Sequence, residues 1–310
     1  MSTAKIPNHL LKQMYVKNNL YAAFHIGFHV FVFGLFFVAS CYFLNAGYFF
    51  YGFLCLIVTG FLGNFFGWSG VGHELLHETV FSSKWLNRFL VKLFSVYLWN
   101  NWEYHKISHQ IHHRSTMVTG VDFEFDPNQK HLSLWDVFIS VTFNYKYLIR
   151  ALNNTVNNSL GIVKGKFSEL YILKDDGKYS KVKRAARTIF LSHCLVFFVT
   201  LFFDIVVVSF VFSLSPFFCN IFSRILAISQ HFGLESDVND PRKTSRSLKI
   251  PGWMEFLYAN MNYHIEHHMY LGIPFYNLPR ARAVIERDLP EAMSLKDAIY
   301  LAINPLPSHN

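Results

Sequence analysis

Charged residues are scarce in this 310-residue sequence, and the scarcity is concentrated in two segments. Asp, Glu, Lys and Arg make up 15% of the chain, against roughly 25% in soluble domains. None occurs from Asn18 to His73, and only Asp204 occurs from Thr188 to Ser223. As a helix, the first segment alone would be about 80 Å long, against about 30 Å for the hydrocarbon layer of a bilayer. The composition therefore excludes an ordinary water-soluble domain and predicts an all-α integral membrane protein.

Each charge-poor segment predicts a pair of membrane-spanning helices. Asn45-Ala46-Gly47 divides the first pair, and the second pair turns near Asp204. We expect a single domain over residues 1–310. Its four spans are predicted at residues 20–44, 48–70, 188–203 and 205–223, with a helical cap formed by residues 71–187 and 224–310.

The two predicted turns also lack Lys and Arg, although the chain carries 28 of them and a net charge of +8. Because loops rich in Lys and Arg stay in the cytoplasm, both termini and the long central loop are expected there. The net positive charge indicates contact with a membrane surface and docking of an acidic redox partner. Nucleic-acid binding is disfavoured, because there is no basic module outside the membrane-flanking segments.

Cysteine is also rare, with four residues that all lie inside the predicted spans: Cys41, Cys55, Cys194 and Cys219. No two of them form a C-x-x-C pair. Disulfides, zinc knuckles and a built-in rubredoxin are therefore not expected, and the cysteines are interpreted as small packing residues.

Histidine, in contrast, is abundant and clustered. H-E-L-L-H, H-Q-I-H-H and H-I-E-H-H place histidines three or four residues apart, so that on helices each set shares one face. An even number of predicted spans precedes each cluster, which puts all three on the same side of the membrane. Nine histidines are predicted to be metal ligands and catalytic residues: His73, His77, His109, His112, His113, His231, His264, His267 and His268.

So many imidazoles predict more than one metal ion. Imidazole suits iron, copper, zinc or nickel, and a catalytic zinc ion takes only about three protein ligands. A two-metal site with carboxylates that orient the histidines is therefore predicted. The candidates for that role are Glu74, Glu78, Asp122, Glu124, Asp126, Asp237 and Glu266.

Outside the spans, apolar residues at helical spacing predict an interfacial amphipathic helix from Ser83 to Tyr104 and a weaker one from Leu134 to Leu152. The polar stretch from Asn153 to Lys183 is expected to be a loop. In the first span, His25 and His29 either line a substrate tunnel or act as a further ligand, or they form hydrogen bonds between helices.

Two other functions are compatible with parts of this pattern. His73-Glu74-His77 matches the zinc-protease motif H-E-x-x-H, with Glu74 as general base. That interpretation leaves the other two clusters without a role. A metal transporter is disfavoured because transporters place ionisable ligands near the bilayer midplane.

The three boxes, their order and the spans between them resemble the membrane fatty acid desaturase superfamily, over roughly Gly67 to Pro290. Q-H-F-G-L-E, T-S-R-S and N-M-N-Y-H-I-E-H-H look most like bacterial members. The resemblance implies two non-haem iron ions held by the nine histidines, with His231 in the position of an additional ligand. His105 has no counterpart in the box pattern and is interpreted as an outer or structural residue.

The same resemblance implies an O₂-dependent oxidoreductase that inserts a double bond into a fatty acyl chain. A hydroxylase of an alkyl or small amphipathic substrate is the alternative on the same scaffold. Electrons would come from a ferredoxin, a rubredoxin or a cytochrome with its reductase. The expected location is a bacterial inner membrane, with the site on the cytoplasmic side.

Overall fold

The protein is described by a computed structural model that covers residues 5–124 and 131–304. One position named above, Asp126, lies outside these residues. Within them, nearly all regular structure is helical, as predicted. The α-helices are α1 (Asn8–Met14), α2 (Asn19–Asn45), α3 (Phe49–Asn64), α4 (Val71–Leu76), α5 (Lys84–Tyr97), α6 (Trp102–Arg114), α7 (Leu134–Val141), α8 (Tyr145–Leu160), α9 (Lys166–Tyr171), α10 (Asp176–Phe202), α11 (Val207–Leu214), α12 (Ile221–His231), α13 (Pro241–Thr244), α14 (Gly252–Leu257), α15 (His264–Met269), α16 (Leu278–Ile285) and α17 (Leu295–Ile303).

Sheet is almost absent from the described residues. A parallel pair joins β1 (Leu248–Lys249) to β2 (Met293–Ser294). This pair ties the segment before the third histidine cluster to the start of α17.

Helices α2 and α10 are long and apolar enough to cross a bilayer. Each has 27 residues, or about 40 Å at 1.5 Å per residue. Each is followed by a shorter apolar helix, α3 or α11. Many large apolar side chains on these helices are exposed, among them Phe31, Leu35 and Leu195, as expected for a lipid-facing surface.

The apolar helices differ in their limits from the predicted spans. Helix α10 begins at Asp176, well before the charge-free run, because its charged first turns continue as one helix into the apolar part. Helix α11 ends at Leu214, since Pro216 follows in a 3₁₀ turn. Helix α3 ends at Asn64 and passes into a π-helix, Phe65–Ser69, so the span predicted at residues 48–70 is not one continuous α-helix.

An amphipathic helix follows the first cluster as predicted: α5, with Ser83 as its N-cap residue. It ends at Tyr97 and not at the predicted Tyr104, which lies in α6. The predicted loop from Asn153 to Lys183 is wrong, because α8 extends to Leu160 and α9 and the start of α10 fill most of the rest. Its asparagines are weak helix formers, but Thr155 and Ser159 lie on a buried face of α8. Tertiary packing therefore outweighs local propensity here.

Candidate metal centre

The first histidine box is held by an unusually close backbone turn. His73 lies on α4 and His77 is its C-cap residue. A Cβ atom on Gly72 would lie 1.3 Å from the carbonyl oxygen of Gly67. Only glycine allows α4 to turn back so tightly against the π-helix, and π-helical turns are frequent at functional sites.

The other boxes lie on α6 and α15, both of which carry the i, i+3, i+4 pattern as predicted. Helix α6 starts at Asn101, whose side chain accepts a hydrogen bond from the backbone N–H of Tyr104 at 3.1 Å. His231 is the last residue of α12. The histidines therefore reach the centre from four helices.

All nine histidines predicted as ligands lie in one of two groups of imidazoles, and within each group the candidate ligand atoms are within 4.8 Å of one another. The pairs at i, i+4 stay together, whereas the middle histidine of the second box and that of the third box each join the other group. The five-histidine group consists of His73, His77, His109, His113 and His267, and the four-histidine group of His112, His231, His264 and His268.

The Nε2 atoms of the five-histidine group crowd around His109. Its Nε2 lies 3.0 Å from that of His73, 3.1 Å from His77 and 2.9 Å from His113. The Nε2 of His267 lies 3.2 Å from both His73 and His113. These separations resemble the roughly 3 Å between adjacent ligand nitrogens when each is bound at about 2.1 Å to one ion.

In the four-histidine group, hydrogen bonds made by the Nδ1 atoms decide which ring nitrogen carries the proton. Nδ1 of His112 donates to Asp122 at 2.9 Å, and Nδ1 of His231 donates to the Thr244 carbonyl at 2.7 Å. The Thr116 hydroxyl donates to the His112 carbonyl at 2.8 Å, so it accepts from Nδ1 of His268 at 3.2 Å. Since a neutral imidazole has one N–H, these three rings present unprotonated Nε2 atoms.

The unprotonated nitrogens point at one another rather than at donors. The Nε2 of His264 lies 2.9 Å from that of His231 and 3.0 Å from that of His268. A single N–H on His264 cannot satisfy all of these lone pairs. A metal ion binds buried nitrogen lone pairs that converge on one point and have too few N–H or O–H groups to pair with. The histidine nitrogens therefore fit one metal ion in each group.

Carboxylates also lie close to Nδ1 atoms of the five-histidine group. Glu124 accepts a hydrogen bond from Nδ1 of His109 at 2.9 Å. The carboxylate of Glu74, which is fully buried, lies 3.0 Å from Nδ1 of His267 and also accepts a hydrogen bond from Thr79. Such outer carboxylates orient ligating imidazoles and raise their basicity.

Three other candidate carboxylates have different partners among the described residues. Glu78 pairs with Arg88 and Lys106. Asp237 accepts hydrogen bonds from Thr119, and Glu266 binds Arg282 and Ser247. The prediction that some of the carboxylates orient histidines agrees with the hydrogen bonds of Asp122 and Glu124, whereas Glu74 lies close to His267 without a hydrogen bond to it.

His105 lies outside both groups. Its Nδ1 is 3.6 Å from Glu124, and its ring stacks on that of His109 at 5.1 Å. With His109 and Glu124 it forms a further set of closely spaced donor atoms. This position beside a ligand candidate agrees with the outer role predicted for it.

Burial keeps most of the histidine rings neutral. Desolvation and the neighbouring imidazoles lower the pKa of His73, His77 and His264 well below the usual value. Burial also lowers the pKa of His112, but the Asp122 and Glu124 carboxylates together outweigh this effect and the net shift is upward. Burial raises the pKa of Glu124 to about 7, although 22% of its side chain is exposed. Neutral imidazoles are the form that binds metal.

A cavity of about 690 Å³ opens onto both groups, and His73, His109, His112, His231 and His264 form part of its wall. Its other walls come mainly from α6, α8 and the segment after α8. Among the described residues that line it, only four have side chains without a polar atom: Phe123, Ala151, Ile162 and Ala227. This lining was not among the residues predicted from the sequence. A polar face on α8, spaced at i, i+4, i+7 and i+8, was the signal available for it.

A second, smaller cavity of about 190 Å³ reaches the five-histidine group from another side. It is lined by His77 and His109 together with Glu78, Lys106 and Gln110, and by two leucines. The centre is therefore accessible from two directions.

His25 and His29 lie away from both groups. His25 Nε2 is 2.8 Å from the Phe256 carbonyl, and His29 Nδ1 is 2.7 Å from the His25 carbonyl. Both rings pack against Phe256. Of the alternatives for this pair, the described contacts favour hydrogen bonding between helices, which joins α2 to the end of α14.

Comparison with known proteins gives one informative result. A search of curated proteins finds no significant match to the chain. The family profile named Fatty acid desaturase matches residues 46–296, which include all three histidine boxes and His231. The chain therefore belongs to the fatty acid desaturase family.

Proposed function

We propose that the protein is an O₂-dependent membrane oxidoreductase with a di-iron centre, and that it inserts a double bond into a fatty acyl or lipid-like chain. The observation that carries the proposal is the division of nine buried or half-buried histidines into groups of five and four. Each group offers enough nitrogen donors for one iron ion with open positions left over. The family match supports the same chemistry.

The residues of the chain have separable tasks in this proposal. The nine histidines hold the metal ions, Asp122 and Glu124 fix ring orientation and proton position, and Glu74 places a buried carboxylate beside His267. Bound iron would supply O₂ activation and the removal of hydrogen from an unactivated C–H bond. The protein's part is to hold the target carbon beside the histidines and to limit access of water.

Electrons would come from a separate carrier, such as a ferredoxin, a rubredoxin or a cytochrome with its reductase. The smaller cavity supports this, because it leads from the surface residue Lys106 to His77 and His109. With Arg88 nearby, its rim suits a carrier with an acidic face.

Hydroxylation of a small amphipathic substrate is the second candidate, and the polar lining of the larger cavity favours it. A hydrocarbon chain would leave these polar side chains without partners, which costs free energy. The same scaffold can serve both reactions, because the outcome depends on the placement of the second C–H bond.

The arrangement of Glu74 argues against a zinc protease. A general base must face the water that it deprotonates. The Glu74 carboxylate is fully buried and faces Thr79 and His267 instead.

For the membrane, we propose four spans built on α2, α3, α10 and α11, with both termini and the metal centre on the cytoplasmic side. The two long apolar helices and the membrane association of the family support this arrangement. The absence of Lys and Arg from the turns after α2 and α10 supports the orientation. Residues 1–310 then form a single domain in a bacterial inner membrane.

The test is elemental analysis of detergent-purified protein from iron-replete cells, followed by a product assay with an electron donor and O₂. About two iron ions per chain and O₂-dependent loss of two hydrogens from an acyl substrate are expected. An added hydroxyl would assign the hydroxylase. One zinc ion, no iron and no activity after iron reconstitution would overturn the di-iron proposal.

A further inference from the structure

The larger cavity has a polar floor at the histidines and a cationic outer end. Arg150 and Lys164 both line it, and both are exposed. Within the described residues, neither side chain forms a hydrogen bond or an ion pair. Unpaired cations at the mouth of a cavity attract oxyanions, and arginine binds carboxylate or phosphate through two parallel hydrogen bonds.

The local fold explains how the two cations come to share one cavity. Arg150 lies on α8, and the helix ends at Gly161, whose φ of +88° reverses the chain. The segment after this turn carries Lys164 into the lining of the same cavity. Because this backbone conformation favours glycine, the reversal is built into the sequence.

Helix α8 also supplies a row of neutral polar groups. Asn154, Asn157 and Asn158 follow Arg150 at i+4, i+7 and i+8, so all four lie on one face. All three asparagines line the cavity, and their side-chain amides have no hydrogen-bond partner among the described residues. Each amide offers two donors and one acceptor to a bound molecule.

The one carboxylate in the described lining is Glu124, which is engaged at the inner end with His109. The inner end of the cavity therefore contains the histidines and the carboxyl group of Glu124, and the outer end contains the positive charges of Arg150 and Lys164. The volume of about 690 Å³ is that of a small-molecule site.

We infer that Arg150, Lys164 and the asparagine face of α8 form a subsite for the carboxylate or phosphate group of the substrate, and that this anchoring directs the reacting carbon to the histidines. The inference rests on the proposed function and narrows it: the substrate is an amphipathic or small polar anion. A neutral hydrocarbon lacks the group that the subsite recognises.

Binding to the iron-loaded full-length protein tests this directly. The protein is placed in phosphatidylcholine nanodiscs, and its affinities for octyl phosphate, octanoate, 1-octanol and inorganic phosphate are compared. The two octyl anions are expected to bind at least about ten-fold more tightly than octanol, as for charge-assisted hydrogen bonds. In Arg150→Gln and Lys164→Gln that preference is expected to fall about ten-fold or more, and in Arg150→Lys it is expected to be partly retained.

Lys166→Gln is the matched control, because Lys166 is an exposed lysine two residues from Lys164 that does not line the cavity. Its preference for anions should equal that of the unaltered protein. Binding of inorganic phosphate as tight as that of octyl phosphate would identify a small free anion as the ligand. Binding of the octyl anions alone would identify the headgroup of an amphiphile.

Equal affinity for octanol and the octyl anions would overturn the inference, as would an anion preference unchanged in both Gln variants. Iron content and O₂ consumption are measured on the same samples. Two iron ions and O₂-dependent turnover without anion preference would reject the subsite alone. Absence of iron would reject the proposed function, whatever the anion binding.

Discussion

The carboxylate of Asp122 lies 2.9 Å from Nδ1 of His112, and both side chains are almost completely buried. Asp122 also accepts hydrogen bonds from the backbone N–H groups of Met117 and Glu124. One aspartate thus orients a candidate ligand of the four-histidine group and fixes the loop that carries Glu124. Glu124 in turn orients His109 of the five-histidine group.

Asp122→Ala is therefore expected to weaken metal binding about 10- to 100-fold, the usual cost of removing an outer partner. The measurement is the iron retained after dialysis against increasing chelator concentrations. Asp237→Ala is the control, since Asp237 binds Thr119 in the same region but contacts no histidine. Equal iron retention in the two variants would contradict the orienting role of Asp122.

His231→Ala is expected to lower the iron retained against a chelator toward one ion per chain, because the four-histidine group would bind its ion more weakly through its three remaining ligands. His193 provides a control of the same size: it is buried, bonded to Ser213 and Val96, and stacked on Trp99 at 3.6 Å. His193→Ala should lower thermal stability and leave the iron content unchanged. Full iron loading in His231→Ala would show that His231 is not a ligand.

The positions of the histidine boxes could be predicted from the sequence, but the division of the histidines between two groups could not. On α6, His109 and His113 share one group while His112 joins the other. On α15 the assignment is reversed, because His267 joins the group of His109. Spacing places these residues on one helix face, whereas the relative position of the two helices decides which group each ring enters.

The polar cavity could not be predicted from the sequence, for a different reason. The asparagines of α8 are weak helix formers, so the segment from Asn153 onward resembled a loop. Its helical form depends on burial of Thr155 and Ser159 against neighbouring elements, which is a tertiary effect. Once the helix is known, the face that contains Arg150 and Asn154 follows from its periodicity.

Arg282 and Glu266 form a buried ion pair at 2.9 Å that positions the helix of the third box. Glu266 also accepts a hydrogen bond from Ser247, and Arg282 donates to the Pro290 carbonyl. Arg282→Met would leave a buried carboxylate unpaired, which typically costs about 3–5 kcal/mol. A lower thermal denaturation temperature and lower iron content are expected.

The double variant Glu266→Gln/Arg282→Met distinguishes the charge from the packing. If the unpaired carboxylate causes the damage, neutralising it should restore part of the lost stability. The same denaturation temperature in the single and double variants would indicate that Arg282 acts through packing and its bond to Pro290.

Gly72 sets the position of the first box, because no side chain fits between α4 and the π-helix. In Gly72→Ala the new Cβ would lie 1.3 Å from the Gly67 carbonyl oxygen, so the backbone must shift. His73 is the next residue and must move with it, while the four-histidine group lies on other elements. We expect about one iron ion to remain per chain, together with a destabilisation of about 1–3 kcal/mol or more.

Gly27→Ala is the control, since a Cβ there meets nothing within 4 Å. Two iron ions in Gly72→Ala would show that the first box tolerates displacement of α4, and the backbone contact would then have no part in metal binding.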